Sequence, residues 1–178
     1  MIIALAGRRV DAIHANEPRF PLQNVERVSH GVRALLEEHA ATAVVSSAAC
    51  GADLIGLSEA GKLGLRRRVI LPFPREKFRE SSVVDRPGKW GELYDRVLDE
   101  VESKGDVVVM QTVNDDEAYS AANRVILEEA MELGLQRNES VGATLVWDGV
   151  SRGENDYTAE FGAEARKRGF AVFEVSTV

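Results

Sequence analysis

The chain contains one cysteine, Cys50, so no internal disulfide can staple it. It also has no apolar run near the ~20 residues that cross a bilayer. The apolar start Met1-Ile2-Ile3-Ala4-Leu5-Ala6 is too short for a secretory core, has no basic segment before it, and runs at once into Gly7-Arg8-Arg9. These absences point to a reducing cytosol. Basic excess is missing too: 22 Lys and Arg against 29 Asp and Glu give a formal net charge of −7, which argues against broad adhesion to nucleic acid or acidic lipid. An anion site in such a chain must be small and local. His14, His30 and His39 show no ligand spacing with Cys50 or with one another, so no zinc site and no cofactor is indicated, and His30 and His39 read as solvated. The dinucleotide fingerprint G-x-G-x-x-G and the phosphate loop G-x-x-x-x-G-K-[ST] are both absent. Repeats, low-complexity tracts and linkers are lacking as well, and 178 residues suit one domain over 1–178.

What is present is a regular alternation of short apolar runs with amphipathic stretches. The runs predict strands over Ile2–Ala6, Ala43–Ser47, Arg68–Pro72, Val107–Gln111, Ala143–Trp147 and Ala171–Val175. The stretches between predict helices over Asn24–Glu38, Gly51–Lys62, Lys89–Ser103, Glu117–Leu133 and Thr158–Arg168, with Gly64, Gly134 and Gly169 as stops. The expected fold class is α/β: one doubly wound, mostly parallel, Rossmann-like sheet of about six strands with helices on both faces. Two long connections, Gly7–Gln23 and Phe73–Gly88, read as binding loops.

The most informative stretch is Val44-Val45-Ser46-Ser47-Ala48-Ala49-Cys50-Gly51-Ala52-Asp53, an apolar strand passing through small residues into a helix. Small side chains let a ligand approach the backbone, and free N–H groups at a helix start attract phosphate; close packing of helix on strand is the plain alternative. Ligands of open α/β sheets bind beyond the carboxyl ends of the strands. That rule selects Gly7, Arg8 and Arg9, then Ser46, Ser47 and the Gly51 helix, then Phe73, and finally Trp147, Asp148 and Gly149. Arg8 and Arg9 offer planar donor forks for phosphate, or form a solvated turn. Asp53 either complements its helix dipole or takes a ribose hydroxyl, capping being the stronger reading. Cys50 beside a helix start could be a nucleophile, although a buried thiol is the commoner case. Asn123 and Arg124 reach the pocket or pin a loop, and Trp147 stacks on a base or lids the core.

Taken together, Ile3-Ala4-Leu5-Ala6-Gly7-Arg8-Arg9, Ser47-Ala48-Ala49-Cys50-Gly51-Ala52-Asp53 running to Glu59-Ala60, and Val69-Ile70-Leu71-Pro72-Phe73 with Phe78 and Ser82-Val83 resemble the SLOG superfamily. So do Tyr119-Ser120-Ala121-Ala122-Asn123-Arg124 and Val146-Trp147-Asp148-Gly149. This Rossmann-like group includes the LONELY GUY phosphoribohydrolases, DNA-processing proteins and nucleotide-signal sensors, and the likeness is greatest to a bacterial signalling branch. The resemblance implies a nucleotide-derived ligand with its phosphate on the Gly51 helix and its base near Phe73, Tyr119 and Trp147. The phosphoribohydrolase segment Pro-Gly-Gly-x-Gly-Thr-x-x-Glu is missing, so binding or sensing is the leading expectation. Hydrolysis of an N-glycosidic bond or nucleotide sugar is the alternative, with Asp148, Asp115 and Glu117 as its candidate carboxylates. Expected partners are the small molecule, and a second copy or a signalling protein.

Overall fold

The structure is a computed structural model and describes residues 1–111 and 117–178. Its six strands are β1 (Ile2–Gly7), β2 (Ala43–Ser46), β3 (Arg66–Leu71), β4 (Val107–Val109), β5 (Val141–Trp147) and β6 (Ala171–Ser176). The helices are α1 (Val25–Glu38), α2 (Ala52–Lys62), α3 (Arg75–Ser82), α4 (Trp90–Glu102), α5 (Ala118–Arg137) and α6 (Tyr157–Lys167). All six strands join one parallel sheet in the order β4-β3-β2-β1-β5-β6. The chain winds outward from β1 to β4 and then returns through α5 to place β5 beside β1. The winding therefore reverses between β1 and β5, where a doubly wound sheet leaves a crevice at its carboxyl edge.

Side chains along a strand alternate between faces, so each strand feeds two cores. Ile3, Leu5, Val44, Val69 and Leu71 meet α1, α2 and α4 on one face, with Phe78 of α3 added at the rim. Ile2, Ala4, Val45, Ile70, Ala143 and Leu145 meet α5 and α6 on the other. Burial on both faces explains why the central strands are continuously apolar rather than alternating.

Three expectations need correction. The Phe73–Gly88 connection contains α3, which buries only Phe78 and Ser82; one buried aromatic in eight residues leaves no helical period to read. Gly134 does not end α5, which runs on to Arg137 and stops at Asn138 in the left-handed region, φ 53°. Gly134 is instead a contact residue, because a Cβ there would lie 2.6 Å from Val141 Cγ1. His39 is half-buried and stacks on Phe173 with centroids 3.9 Å apart.

Candidate functional site

A cavity of about 610 Å³ lies at the carboxyl edge of the sheet, within the size range of small-molecule sites. Its floor is the exit of β1 (Gly7 to Val10) with Ser47, Ala49 and Asp53. Asp11, Ala12, Ala15, Glu17 and Arg19 of the first long connection form one wall. Phe78, Ser82 and Arg86 form a second, Tyr119, Ala122 and Asn123 of α5 a third, and Arg152, Asn155, Tyr157 and Thr158 the last.

Gly7 marks the point where three elements converge: a Cβ there would meet Val146 O at 2.2 Å and the Ala52 Cβ at 2.6 Å. Gly51 does the same for the turn into α2. Its φ is +96°, and a Cβ would lie 2.7 Å from Arg8 O and 2.8 Å from Val10 N. The small residues of this turn thus let it tuck beneath the exit of β1. Three of its backbone donors have protein acceptors: Ala49 N–H donates to Asp53 Oδ2, Cys50 N–H to Ser82 O, and Ala52 N–H to Arg8 O. Ser46 Oγ donates to Leu5 O and is fully buried. Cys50 is sealed, and burial pushes its thiol up to about 12, out of the nucleophilic range.

Arg8 is the centre of an ion network. Its Nε donates to Asp148 Oδ1 at 3.0 Å, its Nη1 and Nη2 grip both Asp156 oxygens at 2.6 and 2.9 Å, and Nη2 also donates to Val150 O. Arg19 reaches the other Asp148 oxygen at 2.7 Å and the same Val150 carbonyl at 3.0 Å. Asp156 further accepts from the N–H groups of Arg152, Thr158 and Ala159, capping α6. Burial works against its charge, but these hydrogen bonds and Arg8 outweigh it and hold the carboxyl well below the usual carboxylate range. Arg8 is likewise held above its ordinary value: burial opposes its charge, and Asp156 and Asp148 more than offset it.

The cluster carries three arginines, Arg8, Arg19 and Arg152, against Asp148 and Asp156, with Glu17 3.4 Å from Arg19 at its edge. Arg152, half-exposed, keeps its Nε 3.9 Å from Asp156 and makes no side-chain hydrogen bond among the described residues. Its pKa is lowered, first by partial burial and then by repulsion from Arg8, with Arg19 adding to it. Arg86 on the opposite wall has a sealed Nε without a hydrogen-bond acceptor, and its nearest carboxylate contact, to Asp85, is 3.6 Å. Arg9 gives Nη1 to Asp85 and to Ser81 O.

Of the residues singled out in the sequence, Gly7, Arg8, Arg9, Ser47, Asp53, Tyr119 and Asn123 meet at the cavity. Ser46, Cys50, Gly51 and Ala52 are not among the residues that line it. Phe73 is buried in the core and stands edge-on to Tyr119, centroids 5.7 Å apart. Trp147 donates to Glu174 and covers Arg8 at 5.6 Å, and does not itself line the cavity. Asp148 supports the wall without lining it, with both oxygens in ion pairs. Gly149 is exposed in the left-handed region, φ +79°. Arg124 borders a separate surface groove with Glu160 and Glu164. Glu117 is exposed at the start of α5, and Asp115 lies outside the described residues.

Sequence reading missed Arg19, Arg86, Arg152, Asp156 and Tyr157. The Asp156-Tyr157-Thr158 helix start was a usable signal, since aspartate is a preferred cap, but nothing local tied it to Arg8.

No helix among the described residues is long and apolar enough to cross a membrane. No family model matches the chain, and no curated protein matches it in sequence. Among solved structures, the chain is similar to DNA processing protein A (DprA) from Streptococcus pneumoniae, with 13% sequence identity and a TM-score of 0.41. The match covers 96% of this chain and 57% of that one, so this chain spans little more than half its length. The chain is an α/β protein with a Rossmann-like, doubly wound parallel sheet.

Proposed function

We propose that this chain is a SLOG-type binding module that takes a nucleotide-derived small molecule into the switch-point cavity and holds its phosphate with Arg86 and Arg152. One observation carries the reading: these are the two cavity-lining arginines whose guanidinium groups make no hydrogen bond to any described residue. A guanidinium in a partly desolvated wall whose nearest carboxylate stands 3.6 or 3.9 Å away, beyond hydrogen-bond distance, gains most from a phosphate. Arg8, in contrast, is committed to Asp148 and Asp156 and shapes the wall. With Ala49, Cys50 and Ala52 N–H engaged, side chains rather than the α2 turn are the natural phosphate seat. Tyr119 and Tyr157, with centroids 5.6 Å apart, offer a surface for a base.

Binding without turnover is favoured over hydrolysis because Asp148 has both oxygens in ion pairs and is not free to activate water. A cytosolic protein that senses such a ligand and passes the signal to a second copy or a partner fits this reading. Mass spectrometry of small molecules retained by the purified protein, followed by calorimetric titration of AMP into wild type, Arg86→Ala and Arg152→Ala, is the test. Wild-type binding lost in the variants supports it; equal binding in all three overturns it.

A further inference from the structure

The floor of the cavity carries a carboxylate, Asp53, that the phosphate reading leaves unused. Asp53 stands in the first turn of α2 and is 8% exposed. Its Oδ2 accepts from Ala49 N–H at 3.2 Å, which fixes the rotamer. Its Oδ1 takes no hydrogen bond from any described residue and is not among the polar atoms sealed from solvent, and the residue lines the cavity. Ser82 Oγ and Tyr119 OH, 2.9 Å from each other, line the same cavity. A nearly buried carboxylate with one oxygen that the protein leaves unpaired is a seat for a donor from a ligand.

We propose that Asp53 is the specificity residue of this site, accepting a hydrogen bond from a sugar hydroxyl of a phosphorylated ribosyl ligand. The inference rests on the phosphate reading above and adds the identity of the group that meets the floor. Five arginines line the cavity against the carboxylates Asp11, Glu17 and Asp53, and Arg9 is the cation whose field acts on Asp53 directly, so a hydroxyl is favoured over an ammonium. A ligand cation would meet that field, whereas a neutral hydroxyl does not. Burial pushes the carboxyl up to about 7, only partly offset by the Ala49 hydrogen bond and Arg9, so the protein itself supplies it few stabilising donors. Capping alone does not need this arrangement, since a cap on an exposed turn keeps its second oxygen in water.

The experiment compares AMP, 2′-deoxy-AMP and 3′-deoxy-AMP by calorimetry at pH 8, on wild type and on Asp53→Asn. The inference expects at least one deoxy analogue to bind wild type about 10-fold or more weakly than AMP, the scale of one hydrogen bond to a charged acceptor. It expects that difference to shrink in Asp53→Asn, whose amide preserves the shape of the turn. The wild-type comparison stands even if the variant does not fold. Equal affinity of all three nucleotides for wild type, with binding still lost in Arg152→Ala, overturns the role of Asp53 and leaves the phosphate reading intact. No binding of AMP or of ribose 5-phosphate to wild type at millimolar concentration overturns both.

Discussion

Arg8 and Asp156 lie 148 positions apart in the chain and meet fork to fork, Nη1 to Oδ1 at 2.6 Å and Nη2 to Oδ2 at 2.9 Å, with side chains 3% and 1% exposed. Through this pair the exit of β1 fixes the start of α6 and the segment 148–156 that carries Arg152. The arginine wall of the cavity therefore depends on a buried ion pair between the first strand and the last helix.

Asp156→Ala should destabilise the fold by about 3–5 kcal/mol, because it leaves Arg8 buried with only Asp148 as a counter-charge. Loss of the α6 cap adds about 1 kcal/mol to that. Asp156→Asn, which keeps acceptors for Thr158 and Ala159, should cost less. Urea denaturation at pH 7 measures both, and a change under ~1 kcal/mol in the alanine variant would show that the pair does not hold the wall together.

The pH profile of stability should carry two opposite slopes. Asp156 has its carboxyl lowered on folding, so its contribution is present above the unfolded value near 3.8 and is lost as pH falls below it. Asp53 is raised from 3.8 to about 7, so the folded state holds a proton that the unfolded state releases between those values. Its contribution is greatest in acid and is lost as pH rises through about 7. Asp53→Asn should flatten the profile between pH 4 and 7 while leaving the acid limb unchanged. Chemical denaturation at a series of pH values reads it, and an unaltered profile would place Asp53 in a solvated environment.

Arg86→Ala and Arg152→Ala should each weaken binding of a phosphate-bearing ligand by about 1.5–3 kcal/mol, the worth of a hydrogen bond to a charged group. Arg152→Ala should change stability by no more than ~0.5 kcal/mol, because its side chain is half-exposed and makes no hydrogen bond among the described residues. Raising the salt concentration should weaken binding in the wild type more than in either variant. Salt-independent affinity would exclude an arginine-held anion.

Gly51→Ala should lower the Tm by several degrees, since a Cβ at φ +96° both strains the backbone and strikes Arg8 O and Val10 N. The strain alone is of order 1–3 kcal/mol. Differential scanning calorimetry tests it. An unchanged Tm would mean that the turn into α2 is not tightly lodged beneath the β1 exit.

The sequence by itself determined the alternation of strands and helices, because burial on both faces of a parallel sheet leaves short apolar runs that can be read locally. All six predicted strands and five predicted helices have counterparts within a few residues, and the switch-point rule led from there to Gly7, Arg8, Arg9 and Asp53. α3 escaped because Phe78 alone anchors it, and a period needs more than one apolar residue. Only the tertiary structure decided which charges are spent and which are free. Arg8 and Arg9 are adjacent and chemically identical in the sequence, yet one is enclosed by Asp148 and Asp156 and the other pairs with Asp85 near the surface. The guanidinium groups of Arg86 and Arg152, which no local pattern distinguishes from other loop arginines, make no hydrogen bond to any described residue on the cavity wall. Hydrophobic periodicity is written between near neighbours, whereas an ion pair depends only on distance in space, and here its partners come from opposite ends of the chain.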